Sequence, residues 1–271
     1  MISLATVLAL SVTVTQAISE GIDSRIAVAI PTNSLCRFVN YPMTAKQGEF
    51  ALNPHFWAKD VDFSCVSPWN DQAGCFRAGT LISRRHIIFA KHYPLAVGTR
   101  LFFVGQDGGV CPCTLKATKA IGDCDVMIGL LNYEVTPNIH PAKIMPSNAE
   151  DYIGTADWLP VATFNQKEHL VVADLFPVPT NGAPSRGISC RTSTVARRRK
   201  FEEKIVVGDS GNPSFFIIGS EPILLFCLRG GGCGCGPAVH HFRREIQKAM
   251  DELCPGYKLE CFDFAQINDC K

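Results

Sequence analysis

Residues 208–215 read Gly-Asp-Ser-Gly-Asn-Pro-Ser-Phe, after Lys204-Ile205-Val206-Val207 and before Phe216-Ile217-Ile218. A serine between two glycines, beside an acid and at the mouth of an apolar strand, has two readings. Ser210 is either a turn residue or a nucleophile held on a sharp bend. Gly208 permits backbone conformations closed to other residues, so its N–H and that of Ser210 can both point into one small hole. Pro213 then restricts the chain as it enters the next strand.

A nucleophilic serine needs a base to take its proton and an acid to orient that base. The stretch Leu81–Tyr93 carries two histidines. His86 opens an apolar run and is expected half buried or at its edge. His92 follows the run, at a turn, where a side chain is free to face a cleft. Asp123-Cys124-Asp125 precedes Val126-Met127-Ile128. Asp125, directly before that strand, would be carried into the protein beneath an imidazole, whose N–H would satisfy the buried carboxylate. A lone histidine is more often structural, so the set carries the reading and no single member does.

Outward from these motifs, short apolar runs rich in β-branched and aromatic residues recur between Gly, Pro, Asn and Asp. Examples are 80–82, 86–89, 100–104, 126–128, 169–172 and 223–226. Helical periodicity stands out once, over Ala238–Leu253, where Val239, Phe242, Ile246, Met250 and Leu253 fall at three- and four-residue steps. The chain therefore reads as mostly β, a sandwich or one or two barrels, with a C-terminal helix. Residues 31–79 show little periodicity and read as an elaboration packed on the core.

The 271 residues suit one large β domain or two small ones. Hydrophobic residues at 46% against 19% charged argue for a real core, and a net charge of +1 offers no global field for nucleic acid. The basic cluster Arg197-Arg198-Arg199-Lys200 reads as a solvated turn. Residues 2–17 are apolar and uncharged, too short for a comfortable membrane span. They resemble a signal peptide ending at Ala17, although Lys and Arg are missing from its start. Thirteen cysteines favour an oxidising, extracytoplasmic setting with disulfides, some of them stapling the 254–271 tail. The pairs Cys111-Pro112-Cys113 and Cys233-Gly234-Cys235 lack the usual zinc spacing, so no metal and no cofactor is expected.

Taken together, these motifs resemble the chymotrypsin/trypsin-like serine protease superfamily. Gly208-Asp209-Ser210-Gly211-Asn212-Pro213, Leu81-Ile82 through Ala90-Lys91-His92-Tyr93, and Asp125-Val126-Met127-Ile128-Gly129 follow its order of His, Asp, Ser. The resemblance covers about residues 76–253, leaving 18–75 as an N-terminal extension. It implies two six-stranded antiparallel β-barrels with a C-terminal α-helix. It also implies His92 as general base, Asp125 as its orienting acid and Ser210 as nucleophile, with the N–H groups of Gly208 and Ser210 as oxyanion hole. The usual cysteines beside the histidine and before Gly-Asp-Ser-Gly are replaced by Tyr93 and Val206, so disulfides would be rewired.

The family's specificity-pocket floor falls on Lys204. A lysine there would select acidic side chains, unless it points to solvent beside Glu202 and Glu203. Arg229 is the rival selector, and Gly230–Gly232 would leave room for a peptide backbone. Asp209 would take either an amine freed by cleavage after Arg25 or an internal cation. The expected activity is secreted endopeptidase, acting on a peptide or protein, with no nucleic-acid partner and no membrane insertion. The competing expectations are a catalytically silent binding module on the same fold and a thiol- or metal-based protein.

Overall fold

The computed structural model describes residues 4–39, 50–70, 79–153, 158–176 and 187–270. The chain is mostly β, in two sheets. The first holds β1 (Trp69–Asn70), β2 (Thr80–Leu81), β3 (His86–Ala90), β4 (Arg100–Val104), β5 (Val110–Ala120) and β6 (Val126–Leu131), in the order β1-β4-β5-β6-β3-β2. The second holds β7 (Lys143–Ile144), β8 (Pro160–Phe164), β9 (Leu170–Phe176), β10 (Gly187–Arg191), β11 (Pro213–Ile218), β12 (Glu221–Cys227) and β13 (Cys235–Pro237), in the order β13-β10-β9-β8-β11-β12-β7. All pairings are antiparallel except β7 with β12. Register shifts at Leu115/Ala117 and at Ser214/Phe215 interrupt the ladders, and such bulges bend and twist a sheet. The expected pair of six-stranded barrels is not reproduced in that form. The second sheet has seven strands, and among the described residues neither ladder closes on itself.

Every apolar run singled out above contributes to a strand. Their cores are buried on both faces, as in Phe215, Phe216 and Ile217 of β11, each 0% exposed. The C-terminal periodicity becomes a 3₁₀ turn, Val239–Phe242, leading into a helix, Arg243–Leu253. Val239, Ile246 and Met250 are fully buried against the core.

A long helix at the start of the chain is not anticipated by the periodicity reading. The structure forms α1 over Leu4–Val28. An almost uniformly apolar run has no polar face to betray a 3.6-residue period, but its second half shows one in Ile18, Ile22 and Ile26. These three and Val14 are buried against the second sheet. The signal-peptide boundary expected at Ala17 thus falls inside a continuous helix, between two buried side chains. Gly21 meets the Ile217 carbonyl so closely that a Cβ would overlap it. Arg198, read above as part of a solvated turn, is instead buried. It pairs with Asp23 of α1 at 2.5 and 2.7 Å and with Asp174 of β9 at 2.9 Å. Among the described residues no helix is long and apolar enough to cross a membrane.

The cysteines also differ from expectation. The eleven whose side chains are described are all free thiols, and Cys75 and the Cys270 side chain lie outside the described set. Cys111 and Cys113 come closest in this structure's hydrogen-bond network, with Sγ atoms 3.9 Å apart against about 2.05 Å for a disulfide. Among the described residues the tail is held by non-covalent contacts: Ile144 donates to the Glu260 carbonyl, Phe262 donates back to Ile144, and Phe262 and Phe264 are buried.

Two outcomes test this architecture. In a free helix Gly→Ala stabilises by about 1 kcal/mol. Gly21→Ala is expected to reverse that sign and destabilise by about 1–3 kcal/mol in urea unfolding, because the added methyl enters a packed contact. Glu168, at the β8–β9 turn, is 2% exposed, and burial pushes its carboxyl up from 4.5 to about 8. The folded chain keeps that proton while the unfolded chain has lost it. The contribution is therefore whole below pH 4.5 and lost progressively toward pH 8. Glu168→Gln should flatten the pH profile of the melting temperature across that window.

Candidate active site

The strand register determines where the first two candidates meet. Ala90, the last residue of β3, pairs with Val126, the first of β6. His92 leaves one strand beside the point where Asp125 enters the other. The Asp125 carboxylate, 12% exposed, accepts from His92 twice: Oδ1 from the backbone N–H at 2.8 Å and Oδ2 from Nδ1 at 2.7 Å. A carboxylate only accepts, so Nδ1 carries the ring proton, and Nε2 is left with its lone pair. That nitrogen lies 2.9 Å from Ser210 Oγ. Three side chains from two sheets thus form one hydrogen-bonded line. Beneath it, burial pushes the Cys227 thiol up to about 12, with the Asp125 charge adding to the effect. His86, the first residue of β3, is fully buried rather than half exposed. It contacts Ser83 Oγ at 2.8 Å, and burial lowers it to about 4.

Ser210 sits on a tight loop before β11. Asp209 N–H donates to the Val206 carbonyl at 3.1 Å, closing a turn with Gly208 at φ +102°. A positive φ at the third position is the type II pattern and is the reason for glycine there. Gly211 N–H donates to Leu228 O, and Leu228 N–H donates back to Asn212 O, both at 2.8 Å, tying the loop to the end of β12. Among the described residues the N–H groups of Gly208 and Ser210 have no backbone acceptor.

Among the described residues Asp209 pairs with neither a freed amine nor a cation. Its carboxylate, 1% exposed, accepts from Gln166 N–H at 2.8 Å and from Val206 N–H at 2.7 Å. Arg25 is engaged elsewhere, with Asp60 and the Gly219 carbonyl, and Ile26 is buried in α1. Gln166 is a residue that the motif reading missed. Asn165-Gln166-Lys167-Glu168 announces a turn between two apolar runs, but no local signal says which distant loop that turn will touch.

Lys204, Arg229 and Gly230 share a cleft of about 420 Å³ with Ser210, walled by Ile205 and Leu228. The acids beside Lys204 turn away: Glu203 bonds Asn165 and His169, and Glu202 bonds Thr192. The charged residues lining the cleft are thus both cationic. Arg229 also reaches back, its Nε 3.8 Å from Asp125 Oδ2. Two larger cavities, about 840 and 1040 Å³, are lined by none of His92, Asp125 and Ser210.

The two C-x-C pairs do not assemble into a ligand cluster. Cys111 and Cys113 lie in β5 of the first sheet, and Cys233 and Cys235 lie beside and in β13 of the second. Among the described residues, the three ligand-type side chains that do converge are Glu150, His240 and His241. There one Glu150 oxygen accepts from both rings at 2.9 and 3.0 Å. No protein-family model matches this chain, and no curated protein matches it.

The Asp209 contacts yield a stability test. Asp209→Asn keeps the shape but turns one acceptor into a donor facing an N–H. Urea unfolding is expected to show a loss of about 1–3 kcal/mol, the cost of an unsatisfied buried group.

Proposed function

We propose that the chain is a serine endopeptidase built on the chymotrypsin/trypsin-like plan, its two sheets corresponding to the two barrels of that family. The observation that carries this reading is the unbroken hydrogen-bonded line from Asp125 through His92 to Ser210. In this reading Ser210 Oγ attacks the carbonyl carbon of a peptide bond while His92 Nε2 takes the hydroxyl proton. The imidazolium so formed keeps its Nδ1–H on Asp125, which stays ionised and holds the ring in place. The charge moving onto the carbonyl oxygen is met by the N–H groups of Gly208 and Ser210. One such donor is worth about 10²–10³ in kcat in comparable sites. Collapse breaks the C–N bond, His92 returns the proton to the leaving amine, and the acyl group stays on Ser210. Water then repeats the sequence with His92 again as base and releases the acid. The scheme needs no metal and no cofactor.

The cleft beside Ser210 supports a substrate class. Lys204 and Arg229 present two positive charges between apolar walls; Arg229 lies 3.8 Å from Asp125, and no carboxylate lines the cleft beside Lys204. The proposed substrate is a peptide or protein with Asp or Glu immediately before the scissile bond. Its backbone would lie along Arg229–Gly231.

A fluorophosphonate probe is expected to label Ser210, and labelling should vanish in Ser210→Ala and His92→Ala. A folded chain that takes no label and cuts no peptide would be a binding module on this fold, which sinks the peptidase reading. In a peptide library, Lys204→Glu should lower turnover after acidic residues by about 10- to 100-fold, the scale of a charged hydrogen bond. An unchanged profile would remove Lys204 from the specificity site.

A further inference from the structure

We propose that Gln166 is the positioning residue for the oxyanion hole, holding the Val207–Gly208 peptide in the orientation that aims the Gly208 N–H at the substrate. This inference rests on the peptidase reading for its kinetic consequence, while its structural core does not.

In a trans peptide the C=O and N–H point in opposite directions, so fixing one aims the other. Gln166 Nε2 donates to the Val207 carbonyl at 3.2 Å. That bond draws the carbonyl toward the β8–β9 turn and leaves the N–H of Gly208, on the same peptide, facing away from it. Types I and II of a turn such as Val206–Asp209 differ chiefly by a flip of this central peptide. Glycine alone does not settle the choice, because it tolerates both. The Gln166 bond holds one of them.

Gln166 also grips the loop a second way. Its backbone N–H donates to Asp209 Oδ1 at 2.8 Å, on the far side of Gly208. Its Oε1 lies 2.6 Å from where a Cβ on Gly208 would stand, too close for one to fit without a shift. Two donors from one residue therefore bracket the turn, one on the carbonyl before Gly208 and one on the side chain after it.

The gripping residue is itself well anchored. It occupies the second position of a turn closed by Glu168 N–H donating to Asn165 O at 2.9 Å. The Asn165 side-chain oxygen accepts from the N–H groups of Lys167 and His169, and Asn165 is 4% exposed. A hairpin end in the second sheet, anchored by buried Asn165, thus acts on a loop 41 residues further along, at Val207.

The test compares Gln166→Leu, which removes the amide and leaves an apolar side chain, with Gln166→Lys, which restores a donor of similar reach. In the full chain, Gln166→Leu should lower kcat about 10- to 100-fold, less than outright loss of a donor, with KM changed less than threefold. Gln166→Lys should recover most of kcat. A peptide aldehyde, which forms a tetrahedral adduct on Ser210, should bind Gln166→Leu more weakly by the same factor as kcat/KM falls. A product peptide should bind as to wild type. A kcat within twofold of wild type overturns the proposal, as does a loss shared equally by aldehyde and product peptide. One readout needs no turnover. The ¹⁵N resonance of the Gly208 amide, assigned by its absence in Gly208→Ala, should move in Gln166→Leu and return toward its place in Gln166→Lys. If wild type neither turns over peptide nor takes the fluorophosphonate, the peptidase reading fails, and this resonance alone decides Gln166. An unmoved resonance overturns the proposal.

Discussion

The structure depends on how residues 63–70 join the two sheets. Phe63 stands edge-on to Phe164 of β8 at 5.0 Å and lies 5.5 Å from Phe215 of β11, inside the second sheet's core. A few residues later the same segment is bonded to the first sheet. Cys65 O accepts from Leu81, Ser67 Oγ accepts from Phe102 N–H, and Trp69–Asn70 pair with β4. Each aromatic contact is worth about 0.5–1.5 kcal/mol beyond its buried area. Their larger effect is geometric, since they limit how one sheet can shift against the other. The 2.9 Å contact between His92 and Ser210 crosses between the sheets, and it survives only where that shift is small.

The candidate site follows the same division of labour. The first sheet supplies base and acid through one register, Ala90 beside Val126, and their contact is short because both residues sit at adjoining strand ends. The second sheet supplies the nucleophile loop and its constraints: the link to Leu228, the Asp209 carboxylate and the two donors of Gln166. Rigid strands thus carry the groups that must meet, and the loop that carries Ser210 is pinned from three directions. Buried Asp209 is central, since a carboxylate removed from water needs strong donors, and backbone N–H groups serve without a counter-ion.

Much of this was legible in the chain order. The apolar runs, the turn residues between them and the terminal amphipathic period are local properties, and each run contributes to an element. His92, Asp125 and Ser210 could be named because each stands at the end of such a run, where a side chain leaves the sheet for a cleft. Other features were not legible. The helix α1 hides its period in uniform apolarity. Arg198 looks like one solvated charge among four until Asp23 and Asp174 arrive from elsewhere. The cysteine count suggested bridges, yet pairing is decided by the distance between sulfur atoms, which composition does not contain.

The sequence by itself determined the β character, the terminal helix and the identity and order of the three chemically matched side chains. These depend on each residue's own chemistry and its near neighbours. Only the tertiary structure decided that Asp209 is satisfied by backbone amides, that Lys204 lines the cleft while Glu202 and Glu203 turn away, and that Gln166 reaches Val207. Each of those outcomes rests on segments tens of residues apart sharing one buried space, where desolvation makes unpaired charges costly and the fold settles which donor is within reach.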